Sequence, residues 1–419
     1  MNNIKKIRTR IAPSPTGHLH IGTVRTALFN YLFAKQNGGQ IILRIEDTDK
    51  KRSKQEYEND ILEGFEWLGI GFDEKYWQSA RTKIYKKYLQ KLITDGKAYI
   101  SKEEAGEGKR EEVIRFKNPN TKISFVDLIR GRVEFDSADL GDFVIAKSLD
   151  EPLYNFAVVV DDCEMKISHI IRGEDHISNT PRQILIQEAL GAPRFNYAHL
   201  PLILAPDRSK MSKRHNAVSV NEYRKAGYLP EALVNYTAFL GWNPGTEQEI
   251  FIMDELVEKF NLSKVQKGGA IFNPEKLNWI NKEHIKLMTN ESFEAKILEF
   301  LPVETKKMAL ANDKMFSKIL PLIRERIEKF EDAAKMAKAG DWDYYFKRPE
   351  YEKEKLLWKD ESDLNNVKKH LKKIIELLEK TAVFENEKIK ESLWDYATEE
   401  GRGFVLWPTR FALSGCDKS

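Results

Sequence analysis

The string Pro13-Ser14-Pro15-Thr16-Gly17-His18-Leu19-His20-Ile21-Gly22 separates a strand-like run from a helix-like one, and that placement narrows the fold at once. Residues 6–12 read as a buried strand, with Ile7 and Ile11 among alternating polar residues. Beyond the turn, Val24, Ala27, Leu28, Tyr31 and Leu32 recur at helical spacing, and Asn37-Gly38-Gly39 stops the helix. Ile41-Ile42-Leu43-Arg44-Ile45 then gives a second strand, ending at Glu46-Asp47-Thr48-Asp49. Strand, helix and strand with short joins form a βαβ unit, hence a parallel sheet. Its right-handed crossover brings the loop after the first strand to the carboxyl edge of the sheet, where such folds bind ligands.

The rest of the chain divides by texture. A helix is expected over residues 54–68, closing near Gly69. Residues 81–151 are charge-rich around 101–112 and carry short alternating runs at 113–117 and 131–135, so they read as an inserted domain interrupting the sheet. The sheet is expected to resume with strands over 155–160 and 166–171. A helix follows, with Pro181 near its start and Ser178 or Asn179 as its cap. Beyond Asn216 the chain reads as mainly helical, with an apolar stripe of Leu364, Val367, Leu371, Ile374, Ile375 and Leu378. A chain of 419 residues exceeds what one core supports. The fold class expected is α/β, a discontinuous parallel sheet with an inserted α+β domain, followed by an all-helical C-terminal region. The pieces are 1–80, 81–151, 152–200, 201–283 and 284–419.

Composition sets only loose bounds. No run of about 18 apolar residues suggests a membrane span, and the first residues lack the apolar core of a signal peptide. Cys163 and Cys416 cannot form a zinc quartet alone and suit a reduced, cytoplasmic setting. A net charge of +3 neither requires nor excludes a nucleic-acid partner.

Two motifs carry chemistry suited to a nucleoside triphosphate. Gly17 and Gly22 allow close backbone approach, and the helix that opens at Ile21 offers N–H groups and a partial positive charge to a phosphate. His18 and His20 can stabilise charge that develops on a phosphate under attack; hydrogen bonding within the loop is the plainer reading of either histidine alone. Far along the chain, Asp207-Arg208-Ser209-Lys210-Met211-Ser212-Lys213-Arg214 places two ammonium groups where they could clamp a departing pyrophosphate. A solvated basic loop is the alternative. At the strand ends, Arg10, Glu46, Tyr154 and Arg172 converge on one crevice. Two guanidinium groups there suit a dicarboxylic amino acid, and Glu46 its ammonium; a structural Arg10–Glu46 ion pair would look the same.

His20-Ile21-Gly22-Thr23 and Lys210-Met211-Ser212-Lys213-Arg214 resemble the two signatures of class I aminoacyl-tRNA synthetases. Segments 154–162, 172–183, 201–214, 226–242, 272–281 and 403–415 resemble the bacterial-type glutamyl-tRNA synthetases. Thr23 stands where many class I members have a second histidine, a departure the glutamyl branch shares. The resemblance implies a Rossmann-type catalytic domain that forms glutamyl adenylate from ATP, magnesium and L-glutamate and transfers glutamate to the terminal adenosine of tRNA. It implies catalytic roles for His18, His20, Lys210 and Lys213. ATP contacts fall on Gly17, Gly22, Thr23, Glu174, Asp175, Met211 and Ser212. Glutamate contacts fall on Arg10, Ser14, Glu46, Tyr154, Val158 and Arg172. The insert is expected to hold the acceptor end of the tRNA, and the helical region to approach the anticodon.

No zinc is expected, because residues 99–117 contain no cysteine. A monomer is the family expectation, and the use of glutamine tRNA beside glutamate tRNA is left open. The chain ends at Ser419, where most members continue for several more helices, so the anticodon-binding region reads as shortened. A relative that glutamylates a modified tRNA base, and a non-catalytic tRNA-binding paralogue, are the competing readings.

Overall fold

The computed structural model describes residues 6–103, 112–209, 219–359 and 361–417. They form two compact units, residues 1–287 and 288–419. In the first, β1 (Arg8–Ile11) leads through the Pro/Gly turn to α1 (Ile21–Gln36), β2 (Gln40–Ile45), α2 (Gln55–Trp67) and β3 (Glu74–Trp77). The three strands pair in parallel in the order β1-β2-β3. Val24, Ala27, Leu28 and Leu32 of α1 are fully buried, as their spacing requires, and Gly38 turns the chain with φ +59°.

The insert follows: α3 (Thr82–Thr94), β4 (Ala98–Lys102), β5 (Glu112–Phe116), β6 (Lys122–Asp127), β7 (Gly131–Asp136), β8 (Phe143–Ser148) and β9 (Glu151–Pro152). β4-β5-β8-β9 make an antiparallel sheet, while the β6–β7 hairpin leaves it and joins the main sheet. Ile114, Phe116, Phe125 and Ile145 of the insert share one hydrophobic cluster with Ile42, Ile170, Ile184 and Tyr197. Insert and parallel sheet therefore stabilise each other through a common core.

The chain returns through α4 (Tyr154–Glu164), β10 (His169–Gly173), α5 (Thr180–Ala189), β11 (Asn196–Leu200) and β12 (Ile203–Leu204). The strand expected at 155–160 is wrong: those residues lie in α4. Phe156 through Asp162 are all buried. A segment buried on every side shows no period, and tertiary context overrides the β-preference of Val158-Val159-Val160. Pro181 does sit in the first turn of α5; Asn179 is the N-cap residue, but its side chain makes no capping bond.

Ser168 N–H donates to Arg8 O at 2.9 Å, which sets β10 beside β1. Further along, Asn30 of α1 accepts from Thr9 Oγ1 at 3.0 Å and donates to Ile171 O at 2.9 Å, so the two run the same way. β10 pairs in parallel with β11, and β11 meets β6 at Tyr197–Asp127. The order β3-β2-β1-β10-β11-β6-β7 reverses direction between β1 and β10. That switch point is where a Rossmann-type sheet opens its ligand crevice. α6 (Val220–Lys225), α7 (Pro230–Ala238), α8 (Met253–Lys259), β13 (Ala270–Ile271) and α9 (Pro274–Leu287) complete the unit, β13 pairing with β12.

The second unit is helical among its described residues. Helix Leu364–Glu379 begins at Asp363, whose side chain caps it. Ile374 packs with Leu393, Ala397 and Val405. The apolar stripe is narrower than its spacing suggests, since Ile375 is exposed while Val367 is buried.

Gly39 closes the α1–β2 turn against β1. A Cβ there would lie 2.4 Å from Ile7 O and 2.8 Å from Ile7 Cβ, against backbone that is itself hydrogen-bonded. Gly39→Ala is expected to destabilise the first unit by about 1–3 kcal/mol. Gly38→Ala, with open space around it but φ +59°, should cost the smaller amount, about 1–2 kcal/mol. Thermal unfolding of the two variants checks the order.

Candidate active site

The Pro/Gly/His turn is fixed from two sides. Leu19 N–H donates to Asp60 Oδ2 at 2.7 Å, and His18 Nδ1 lies 3.2 Å from Asp60 Oδ1, so one carboxylate on α2 holds both turn and imidazole. Tyr57, one turn earlier on α2, meets the His18 ring edge-on at 5.0 Å. His20 has extended backbone (φ −120°, ψ 162°) and is the N-cap of α1. Its Nδ1 accepts from Gly22 N–H at 3.2 Å and Thr23 N–H at 3.4 Å, while Nε2 lies 3.2 Å from Thr23 Oγ1. An accepting Nδ1 carries no proton, so this arrangement requires the neutral ring with its proton on Nε2.

The free N–H groups expected at the start of α1 are thus partly capped by His20 itself. Gly22 makes this possible: a Cβ there would stand 3.1 Å from the ring atoms Nδ1 and Cε1. Gly17 and the exposed Ser14 lie in the turn between β1 and α1, and Ser14 O accepts from Thr16 N–H at 2.8 Å.

Lys210, Met211, Ser212 and Lys213 lie outside the described residues, but both flanks of their segment are described. On one side Ala205 N–H bonds Ser209 O at 2.9 Å, closing a turn in which Arg208 has φ +66°. On the other, Ser219 bridges antiparallel to His20, and Val220 N–H donates to Leu19 O at 2.9 Å. The chain leaving the second motif is therefore bonded to the backbone of the first. Arg25 on α1 adds a tie to the approach side by donating to Pro201 O and Leu240 O. Burial lowers that guanidinium to about 10 against the pull of Glu174 and Asp175.

At the switch point the charged residues interlock. Arg44, with no exposed side-chain surface, donates to Asp162 Oδ1 at 2.6 Å and to Glu46 Oε1 at 3.1 Å. Arg10 donates to Asp162 at 3.2 Å. The direct Arg10–Glu46 pair, one reading of the sequence, does not form; each finds another partner. Burial would raise the Asp162 carboxyl, but Arg10 and Arg44 hold it below its ordinary range. Burial wins at Glu46, which is raised despite Arg44. Neighbouring Asp161 lies 3.7 Å from Arg44 Nε and also accepts from Arg81, Gln78 and Tyr85 at 2.6, 2.8 and 2.8 Å.

Arg172 differs from Arg10 and Arg44. It is 4% exposed, and its described partners are neutral: Nε donates to His199 Nε2 at 3.2 Å and Nη2 to Thr180 Oγ1 at 2.9 Å. Nη1 is buried with no hydrogen-bond partner. Burial lowers its pKa. Tyr154, 39% exposed, holds its hydroxyl 3.2 Å from His176 Nδ1 and is coupled electrostatically to Glu46, Arg172 and Arg10. Val158, one turn on along α4, is buried. The Glu174 carboxylate is engaged by Leu202 N–H at 2.8 Å and by Arg130. Asp175 folds back over Gly173, where a Cβ would meet its Oδ1 at 2.5 Å.

With this geometry in view, the comparisons with known proteins are specific. The family described as "tRNA synthetases class I (E and Q), catalytic domain" matches residues 6–112 and 101–279, and "Anticodon binding domain" matches 292–419. A glutamate–tRNA ligase of Carboxydothermus hydrogenoformans is 42% identical over 98% of this chain and 94% of its own length. One from Aquifex aeolicus is 50% identical over 68% of this chain and 67% of its own. The crystal structure of a glutamate tRNA ligase from Elizabethkingia meningosepticum in complex with its amino acid superposes with a TM-score of 0.83. It is 33% identical and covers 99% of this chain and 95% of that one. The chain belongs to the glutamate–tRNA ligases, within class I. As a family member it takes ATP as a substrate.

Several residues around this ligase site were not singled out by sequence. Asp60, Asp127, Thr180 and His199 all act from behind a predicted residue. The Asp161-Asp162 doublet inside an apolar run did leave a signal, because acids are buried only with partners. Among the described residues, no group of three or more His, Cys, Asp or Glu side chains could hold a metal ion; residues 104–111, part of the zinc expectation, lie outside them. No described helix is long and apolar enough to cross a membrane.

Capping by His20 can be separated from any chemistry it performs. His20→Ala is expected to lower stability by about 0.5–2 kcal/mol, and His20→Asn to restore most of it by supplying another capping oxygen. Thermal unfolding of the three proteins checks this.

Proposed function

We propose that this ligase binds L-glutamate at the β1–β10 switch point with its carboxylates on Arg10 and Arg172, its ammonium on Glu46, and Ser14, Tyr154 and Val158 around it. The observation that carries the reading is Arg172: a buried guanidinium whose described hydrogen-bond partners are neutral and whose Nη1 is unsatisfied. Leaving such a charge unmatched costs several kcal/mol, and a substrate carboxylate supplies both the charge and the missing acceptor. Burial raises Glu46, so an ammonium placed beside it favours the ionised form it needs.

ATP lies across the turn, with its phosphates toward the start of α1, near Gly17, Gly22 and Thr23. The ionised substrate carboxylate attacks the α-phosphorus; the bond to the β-phosphate oxygen breaks and pyrophosphate leaves. His18, held through Nδ1 by Asp60, presents its other nitrogen to the α-phosphate. His20 gives up its cap to donate there, and the phosphate takes over the N–H groups it releases. Lys210 and Lys213, with Met211 and Ser212 between them, neutralise the departing pyrophosphate. The Ser219–His20 bridge supports this by bringing the end of their segment to the turn. Magnesium arrives as the ATP complex.

Glu174 is less suited to touching nucleotide than Asp175, because both of its oxygens already hold protein groups. In the second step the ribose hydroxyl of the terminal adenosine attacks the mixed anhydride and AMP leaves. The insert, residues 81–151, holds the acceptor end, residues 201–283 follow the stem, and the helical region 284–419 approaches the anticodon of glutamate tRNA. Discrimination against glutamine tRNA would depend on that last contact. A monomer working in the reduced cytoplasm completes the reading; Cys163 and Cys416 are both free thiols.

The deciding experiment is glutamate-dependent ATP–pyrophosphate exchange, with and without glutamate tRNA, alongside charging of that tRNA. Exchange and charging only with tRNA support the proposal. Exchange without tRNA and no charging would shift it to the base-glutamylating relative. Arg172→Ala is expected to raise the KM for glutamate at least about a hundredfold, Arg172→Lys nearly as much because one ammonium cannot replace the fork. Lys213→Ala should lower kcat roughly 10²–10³-fold with the melting temperature unchanged.

A further inference from the structure

Arg172 reaches the crevice only because something behind it fixes its plane. Its Nε–H donates to His199 Nε2 at 3.2 Å, and His199 Nδ1–H donates to Asp127 Oδ2 at 2.6 Å. Both relay side chains are inaccessible. His199 is clamped as a ring as well: Tyr197 stacks on it at 6.2 Å and 6°, and Phe125 lies 6.4 Å away. Asp127 Oδ1 accepts from Ile129 N–H at 3.0 Å and Arg130 N–H at 2.9 Å, while Oδ2 faces His199, taking both its imidazole and, at 3.1 Å, its backbone N–H. These bonds and His199 keep the Asp127 carboxyl below its ordinary range although burial opposes them. Asp127 ends β6, so the carboxylate comes from the insert and the guanidinium from the parallel sheet.

We propose that Asp127 and His199 are positioning residues for glutamate: Asp127 fixes the proton on His199 Nδ1, which leaves Nε2 as the acceptor that orients Arg172 toward the substrate carboxylate. The donor count supports it. Of five guanidinium N–H groups, one goes to His199 and one to Thr180, and the two on Nη1 are unsatisfied. Turning the imidazole into a donor at Nε2 would aim its N–H at Thr180 Oγ1, 3.2 Å away, and leave the Arg172 Nε–H without its acceptor, which moves the fork. The inference rests on the reading that Arg172 takes a substrate carboxylate.

Asp127→Asn tests it at constant shape. Ile129 and Arg130 N–H retain the remaining oxygen, which the His199 backbone N–H can share, so the new amide faces His199 Nδ1 as a donor and drives the ring proton to Nε2. At position 199, Gln can present an oxygen to Arg172 and an amide to Asp127, whereas Phe can do neither. The measurement is the KM for glutamate, the KM for ATP and kcat in charging of glutamate tRNA, with Arg172→Ala in parallel. Asp127→Asn and His199→Phe are expected to raise the glutamate KM about tenfold or more, with ATP KM and saturating kcat within about threefold; His199→Gln recovers most of the loss.

A glutamate KM within about twofold of the parent in Asp127→Asn and His199→Phe would overturn the relay, as would a Gln variant no better than Phe. If Asp127→Asn melts below the assay temperature, the Gln–Phe comparison carries the test alone. An unchanged glutamate KM in Arg172→Ala would instead sink the underlying assignment of Arg172.

Discussion

A guanidinium with no exposed surface is costly unless acids meet it, and Arg44 has none exposed. The carboxyl edge of the sheet is organised around that requirement. Asp162 and Glu46 take the Arg44 charge, and Asp162 also takes Arg10, so β1, β2 and α4 are bound into one polar floor. Asp161 extends the same floor to Arg81 and Tyr85 of the insert. Such pairs lose much of their Coulomb gain to desolvation, so their value here is geometric: they hold charged groups at fixed places at the carboxyl edge of the sheet. Arg172 stands outside this accounting, with neutral neighbours in direct contact.

The sequence disclosed those parts of the molecule where one face is buried and another is wet. α1 and β2 were legible because Val24, Ala27, Leu28 and Leu32 recur at helical spacing and an apolar run follows Gly38-Gly39. α4 was not, since burial from Phe156 through Asp162 erases the period on which the choice between helix and strand depends. In the site, Arg10, Glu46 and Arg172 could be assigned to strand ends, but not their partners. Arg10 meets Asp162 from 152 residues away, and His199 meets Asp127 from 72 away. No local pattern encodes such distances. A lone histidine between Ala198 and Leu200 looks like any other core polar residue.

The two motifs show the same division. Residue types suggest their chemistry, whereas the bridge to His20 from Ser219, beyond the second motif, involves backbone groups, which carry no sequence signature. His20 also occupies a position its residue type does not announce. It satisfies the helix start while no anion is bound, so the first turn of α1 need not be left with all its donors open.

The helical state of α4 sets a limit on how this family member can change. Adjacent residues of a helix point about 100° apart. That angle lets Asp161 reach Arg81 and Tyr85 of the insert beside Arg44, while Asp162 takes Arg10 and Arg44 of the sheet. A residue gained or lost between Tyr154 and Asp161 would rotate both acids relative to Tyr154 by the same angle, detaching each from its arginines. The length of this stretch is therefore as constrained as the acids it carries.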